Sequence, residues 1–154
     1  MKTFVSYSTA LDQILALRLQ TMASVYGMTV YVPPATTRHS PTGLLIPEVQ
    51  EQLGQSDVVL AVITQMPTPG AVNEMNEAVR LKKLLIPIVS PGVPSEYYIN
   101  FQHVVLVDPA DPSRAEREIV GILAGKQQEK ASKTALLALA TLAVALLLFG
   151  TYSK

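Results

Sequence analysis

Short apolar runs, several of them alternating with polar residues, recur along the chain and predict five β-strands. They cover residues 3–7, 28–32, 57–64, 84–89 and 103–107. The segments between them have the length and pattern of helices. Because strands that alternate with helices form a parallel sheet covered on both faces, the pattern predicts an α/β fold. The arrangement is typical of the flavodoxin-like, doubly wound five-stranded parallel sheet, in which ligands bind beyond the carboxyl ends of the strands.

The helices are predicted at residues 10–26, 43–53, 72–83 and 113–124, with a short helix or loop at 95–101. The residues of the first helix expected to face the sheet are Leu11, Leu15, Met22 and Val25. Gly27 and Gly125 follow the first and the last helix. Both are expected to end their helices, because glycine readily adopts the left-handed conformation that closes a helix.

The segment 134–152 carries no charge and is almost entirely apolar. As a helix it would span about 28 Å, close to the roughly 30 Å thickness of a bilayer core. Three lysines in 126–133 precede it and only Lys154 follows it. The apolar length predicts a single-pass transmembrane helix over 134–152, preceded by a basic linker over 126–133. The excess of positive charge on the N-terminal side predicts that the domain over 1–125 is cytoplasmic. A buried helix packed in a bundle is the alternative.

The composition limits the possible functions. A chain of 154 residues has room for one domain and a short appendage. Twelve basic and twelve acidic residues give zero net charge, so nucleic acid is not an expected partner. The absence of cysteine excludes disulfides and thiolate metal sites, and two histidines are too few to predict a zinc site. No metal is therefore expected. The N-terminus lacks the apolar stretch of a secretory signal.

Glu74 is the candidate catalytic residue. On a helix beginning near residue 72 it lies at the border of the apolar arc, whereas Glu77 lies on the polar face and can pair with Arg80. The free N–H groups of the first helical turn would keep a Glu74 carboxylate ionised. Such a group can stabilise an oxocarbenium-like centre or attack a glycosidic carbon. The alternative is that Glu74 only stabilises the start of its helix.

Five features over residues 1–125 resemble a TIR (Toll/interleukin-1 receptor homology) domain. In chain order they are Phe4-Val5-Ser6-Tyr7, the strand 27–32, the loop that ends at Gly43, the strand 56–64, and Glu74 four residues before Ala78 and ahead of a Leu-Ile-Pro-Ile run. The resemblance implies cleavage or cyclisation of NAD⁺ at the nicotinamide ribosyl bond, with Glu74 as the catalytic acid. It implies substrate contacts from Tyr7, Ser8, Thr9, Arg38, His39 and Thr64.

The resemblance and the apolar segment together predict a membrane-anchored NAD⁺ glycohydrolase or cyclase of prokaryotic immune defence. NAD⁺ is the expected substrate, no further cofactor is expected, and self-association through the TIR domain is expected. A non-catalytic TIR adaptor that assembles at the membrane is the first alternative. A nucleoside glycosyl transferase, which shares the fold and a glutamate, is the second.

Overall fold

The structure is a computed structural model that describes residues 1–35 and 44–149, with residues 138–149 described by their backbone only. Its elements in chain order are β1 (Lys2–Ser6), α1 (Ala10–Val25), β2 (Thr29–Tyr31), α2 (Pro47–Gln55), β3 (Val58–Ile63), α3 (Pro69–Arg80), β4 (Leu84–Val89), a 3-10 turn (Ser95–Tyr97), β5 (Val105–Leu106) and α4 (Ser113–Phe149).

The five strands form one parallel sheet in the order β2-β1-β3-β4-β5. This confirms the predicted five-stranded parallel α/β architecture. From β1 the chain passes to β2 at one edge of the sheet, whereas from β3 it passes to β4 and then β5 toward the other edge. The strand order therefore reverses between β1 and β3. The carboxyl edge of the sheet beside β1 and β3 is the place where doubly wound folds leave a crevice for ligands.

Two apolar layers cover the sheet, one on each face. Val5, Leu60 and Ile88 pack beneath α1 and α4, whereas the neighbouring Phe4 and Val59 pack beneath α2 and α3. All six residues of β3 are buried. This explains the uninterrupted apolar run in the sequence, because a central parallel strand is covered from both sides.

Helix α1 ends as predicted but faces the sheet differently. Gly27 has a φ of 70°, and its N–H donates to the Ser24 carbonyl at 3.0 Å, which closes the helix. Leu11 is 71% exposed, so its predicted inward position is wrong, as is that of Val25. The buried residues of α1 are Asp12, Leu15, Ala16, Leu19 and Ala23.

Helix α3 begins at Pro69, three residues earlier than predicted. Thr68 precedes it, and its side chain accepts a hydrogen bond from the Ala71 N–H at 3.3 Å. Glu74 therefore lies in the second turn, and the argument that first-turn N–H groups keep it ionised is wrong. The predicted pair of Glu77 and Arg80 is confirmed, with nitrogen and oxygen 2.7 Å apart.

Helix α4 is continuous past Gly125, which the sequence predicted to end it. A single glycine inside a helix costs only about 1 kcal/mol, so packing on both sides of it can outweigh its preference for a helix end. The guanidinium of Arg18 in α1 pairs with the Glu116 carboxylate at 2.7 Å. Near the opposite edge of the sheet, the Lys130 ammonium lies 2.8 Å from the Asp57 carboxylate. Residues 131–137 are all exposed.

The predicted transmembrane helix over 134–152 and the single-pass membrane location are contradicted. Among the described residues, no helix is both long enough and apolar enough to cross a bilayer. Residues 150–152 of the predicted span lie outside the described part of the chain. The division into a domain over 1–125 and a linker over 126–133 stays a prediction.

Candidate functional site

A cleft of about 400 Å³ opens at the carboxyl edge of the sheet. We call it the α1–β3 cleft, since it lies between the start of α1 and the residues that follow β3, with the β5–α4 connection as its third wall. Its lining residues are Leu11, Asp12, Ile14, Leu15, Arg18, Thr64, Gln65, Val107, Pro109, Ala110 and Pro112. A largely apolar concave site with a few polar groups is the usual form of a small-molecule pocket.

Asp12 is the centre of the polar part of this cleft. It is buried, and one carboxylate oxygen accepts the Ser8 N–H at 3.3 Å and the Thr9 N–H at 3.1 Å. The other oxygen accepts a hydrogen bond from the Thr64 hydroxyl. The Asp12 N–H in turn donates to the Thr9 side chain at 3.1 Å, which completes a capping box at the start of α1. These contacts fix the carboxylate between the ends of β1 and β3.

Ser8 links this cluster to the start of α3. Its hydroxyl oxygen accepts the Thr68 N–H at 3.0 Å. Thr68 is the residue that precedes α3, so this bond joins the loop after β1 to the loop after β3. The loops on both sides of the point where the strand order reverses are therefore held together by hydrogen bonds, and the polar end of the cleft is built before any ligand arrives.

Arg18 is the only cationic residue among the described residues that line the cleft. Its guanidinium is engaged with Glu116, with Nε 2.7 Å from one carboxylate oxygen and an Nη atom 3.0 Å from the other. The Glu116 side chain is 3% exposed, so this carboxylate holds Arg18 against α4. Among the described residues that line the cleft, no cation therefore remains whose charge is not already paired with a carboxylate.

Glu74 lies in the layer on the other face of the sheet. It is fully buried, in the same layer as Ala78 of the next helical turn. Tyr31 lies within electrostatic reach of it: burial, a hydrogen bond to Glu48 at 3.2 Å and the negative charges of Glu48 and Glu74 raise the pKa of the Tyr31 phenol to about 12. This phenol stays protonated at neutral pH and is a hydrogen-bond donor.

The predicted site residues fall into three groups. Ser8, Thr9 and Thr64 come together around Asp12. Tyr7 is buried beside them in the chain, but its hydroxyl donates to the Pro33 carbonyl. Glu74 belongs to the opposite layer, and Arg38 and His39 lie outside the described residues. The predicted roles of all these residues in catalysis and binding stay predictions.

Asp12 is the site residue that the sequence analysis missed. Two signals pointed to it. Thr9 and Asp12 have the spacing of a capping box, and Asp12 continues the helical stripe of Leu15, Leu19 and Ala23. An acidic residue in an apolar stripe has to find hydrogen-bond donors on the protein, and those donors come from the loop after β1 and from the end of β3.

Metal binding finds no support in the described part of the chain, where no group of three or more acidic or histidine side chains could hold an ion. The predicted absence of a metal and of a resident cofactor stays a prediction. What the arrangement can do chemically is to accept and donate hydrogen bonds at a fixed polar end and to cover an apolar ligand surface with α1 and the β5–α4 connection.

No family model matches the sequence, and no curated protein matches it. Solved structures do share its fold. One is the sugar isomerase domain of the RpiR transcription factor from Sphaerobacter thermophilus, at 13% identity and a TM-score of 0.54, covering 92% of this chain and 78% of that one. Another is RosB with bound 8-demethyl-8-formylriboflavin-5'-phosphate, at 15% identity and a TM-score of 0.53. This match covers 94% of this chain and 87% of that one.

The TIR resemblance inferred from the sequence is therefore wrong. The structural similarities are to a sugar isomerase domain and to RosB, and neither a TIR family model nor a curated TIR protein matches. Two predicted functions depended on this resemblance and are also wrong: a membrane-anchored NAD⁺ glycohydrolase of immune defence and a TIR adaptor. The physical reason is that the features behind the resemblance are general to the fold: apolar strand ends, a glycine after a helix and an acid in a crossover helix occur in many doubly wound sheets.

Proposed function

We propose that this chain binds a small metabolite that has an apolar ring or similar body and one or more hydroxyl groups. The ligand occupies the α1–β3 cleft. The observation that supports this most strongly is the cluster of hydrogen-bonding groups around Asp12, which lies at the end of a mainly apolar cleft where the strand order reverses. The ring packs against residues such as Leu11 and Pro109, and the hydroxyl groups face the polar end.

An anionic group at the start of α1 is disfavoured by the same contacts. A phosphate at a helix N-terminus is held by backbone N–H groups. Here the N–H groups of Ser8 and Thr9 donate to Asp12, which places a carboxylate where a phosphate would otherwise bind. Arg18 adds no unpaired positive charge there, because its guanidinium pairs with the Glu116 carboxylate. The proposed ligand is therefore an uncharged hydroxyl compound at this position.

The two similar structures are a sugar isomerase domain and RosB with a bound riboflavin phosphate derivative. At identities of 13% and 15% they support the fold alone. They still suggest which compounds to try first: riboflavin has an apolar ring system and a hydroxylated chain, and ribose represents a free sugar. Riboflavin-5'-phosphate and ribose 5-phosphate are the matched anionic forms.

Calorimetric titration of the wild-type chain with these four compounds tests the proposal. We expect an uncharged compound to bind more tightly than its phosphate. Gln65→Ala, which removes an exposed amide from the cleft, is expected to weaken binding about three- to tenfold through the loss of one hydrogen bond. Gln50→Ala, an equally exposed glutamine on α2, serves as the control and is expected to bind like wild type. Equal affinities in both variants, or no binding to wild type, would contradict the proposed site.

A second candidate is an enzyme that cleaves or transfers a glycosidic bond at Glu74. It is favoured by one observation, the complete burial of this carboxylate near the protonated phenol of Tyr31. A carboxylate shielded from water can stabilise a developing positive charge on a ribosyl carbon. The nucleoside glycosyl transferase considered from the sequence belongs to this class, and NAD⁺ binding and self-association stay predictions.

Release of free base from purine and pyrimidine nucleosides, followed by chromatography, tests this second candidate. Glu74→Gln is expected to abolish release, whereas Glu77→Gln, which changes a partly exposed acid of the same helix, is expected to retain it. If no substrate is cleaved by the wild type, or if both variants lose activity equally, Glu74 has no catalytic role.

A further inference from the structure

We infer that Ser90 binds the ligand at the bottom of the α1–β3 cleft, by sharing one ligand hydroxyl group with Thr64. This rests on the proposed function and deepens it, since it names the functional group that the cleft recognises. Ser90 follows β4 and is 5% exposed.

The strand register places Ser90 next to two residues that line the cleft. Ile63 pairs with Val89, and Val89 pairs with Leu106, so the next residues, Thr64, Ser90 and Val107, form one row across three strands. The backbone bonds from the Ser90 N–H to the Ile63 carbonyl, at 3.1 Å, and from the Val107 N–H to the Val89 carbonyl, at 2.9 Å, continue the ladder into this row.

The row also has a defined face. Val62, Ile88 and Val105, two positions earlier on each strand, pack beneath α1 and α4, and side chains two positions apart lie on the same face of a strand. Thr64 and Val107 both line the cleft. Ser90 lies between them in the row, so its side chain lies on the same face of the sheet, directly beneath these two lining residues.

The Ser90 hydroxyl has no hydrogen-bond partner in the described part of the chain. Its backbone groups are satisfied, because its N–H donates to Ile63 and its carbonyl accepts from the Val93 N–H at 3.3 Å. A buried hydroxyl without a partner is costly, and such groups in proteins are normally completed by a water or a ligand. The side chain of Ser90 is thus the group in this row that remains to be satisfied.

The direction of the neighbouring hydrogen bond selects the ligand group. The Thr64 hydroxyl donates its hydrogen to Asp12, so its oxygen can only accept from a ligand. Ser90 can donate. Adjacent strands lie about 4.8 Å apart, so a single oxygen between the two side chains can donate to Thr64 and accept from Ser90. A hydroxyl group does both, whereas a carbonyl oxygen cannot donate to Thr64 and an ammonium group would leave the hydrogen of the Ser90 hydroxyl without an acceptor.

The test compares riboflavin with lumiflavin, which has the same ring system without the hydroxylated chain, and ribose serves as a probe without the ring. Binding is measured by calorimetry to the full chain. The wild type is expected to bind riboflavin about tenfold more tightly than lumiflavin, and Ser90→Ala is expected to lose most of this preference. Affinity for lumiflavin is expected to be the same in wild type and Ser90→Ala.

Ser6→Ala is the matched control. Ser6 ends β1, is also buried and also carries a hydroxyl without a described partner. It lies two positions after Phe4, on the face covered by α2 and α3, and so outside the cleft. We expect Ser6→Ala to keep the tenfold preference for riboflavin, and thermal melting of both variants shows that each is folded.

The outcomes separate this inference from the proposed function. Binding of none of the probes by wild type overturns the proposed function and this inference with it. Binding by wild type with an unchanged preference in Ser90→Ala overturns the role of Ser90 alone. Equal binding of riboflavin and lumiflavin by the wild type also overturns the role of Ser90. This comparison needs no variant, so it does not depend on whether Ser90→Ala folds.

Discussion

At the scale of single residues, the environment of Asp12 decides how the cleft can function. A carboxylate in the buried stripe of a helix is unfavourable unless donors surround it. Two backbone N–H groups and the Thr64 hydroxyl provide them, and the same contacts use the donors that an anionic ligand would need. One buried side chain thus both stabilises the start of α1 and restricts the charge of the ligand.

Lys82 occupies a backbone conformation that suits glycine. It follows α3 with a φ of 55°, and its N–H donates to the Val79 carbonyl at 3.0 Å in the manner of a helix-closing glycine. The left-handed conformation costs a residue with a side chain about 1–2 kcal/mol. We expect Lys82→Gly to raise the free energy of unfolding by about 0.5–1 kcal/mol, measured by urea denaturation.

Lys82→Ala is the control for this prediction. It removes the same exposed amine but keeps a β-carbon, so the strain in the backbone remains. It is expected to leave the free energy of unfolding within about 0.3 kcal/mol of wild type. An equal gain in both variants would show that loss of the lysine charge, and not the backbone conformation, is responsible.

At the scale of the elements, α4 is fastened to the domain at two places. Arg18 and Glu116 join it to α1 near the cleft, and Lys130 and Asp57 join it to the start of β3. Asp57 also accepts the Lys2 backbone N–H at 2.9 Å, so it connects α4 with both β1 and β3. One contact lies before Gly125 and the other after it, so both parts of α4 are held against the domain and the helix stays continuous at this glycine.

The contact at Asp57 predicts a pH dependence of stability. Burial alone would raise the pKa of Asp57, but the hydrogen bonds from Lys130 and Lys2 outweigh it and lower the pKa below the ordinary value of 3.8. A lowered pKa in the folded state gives stability that is present above the unfolded value and is lost as the pH falls through the folded value. Asp57→Asn is therefore expected to be less stable than wild type at pH 7, with the difference shrinking below about pH 4.

Thermal melting between pH 2.5 and 7 measures this difference. Glu96→Gln, at an exposed position in the 3-10 turn, is the control and is expected to follow the wild-type curve. A constant difference between wild type and Asp57→Asn over the whole pH range would mean that the charge of Asp57 is not the cause.

At the scale of the whole molecule, the body of the domain ends before α4 does. Ile119, Val120 and Leu123 are buried against the sheet, whereas residues 131–137 are exposed throughout. Packing of the domain therefore depends on the first part of α4 and not on residues 131–137.

Truncation tests this division. A chain of residues 1–133 is expected to keep a cooperative transition and a melting temperature within about 3 °C of the full chain. A chain of residues 1–118 loses three buried aliphatic side chains, each worth about 1.5–3 kcal/mol, and is expected to lose cooperative unfolding. If the first truncation melts far below the full chain, residues after 133 contribute to the folded domain.

The sequence by itself determined the number of the strands and their order along the chain, the presence of the helices and the fold class, but not every helix boundary. β3 was visible as an unbroken apolar run, and α1 was delimited by Gly27, because these signals are local and arise from burial on both faces and from backbone conformation. The start of α3 was placed too late, because the sequence analysis overlooked the start signal formed by Thr68 at the N-cap and Pro69 at the first helical position.

Only the tertiary structure decided which side chains share a site. Thr64 and Ser90 are neighbours through strand register, and Asp12 reaches Thr64 because α1 packs over the end of β3. Glu74, which stood out in the sequence, lies on the other face of the sheet. A local pattern fixes the face that an element buries, but the partners across a sheet depend on strand order, and that order follows from the packing of the whole chain.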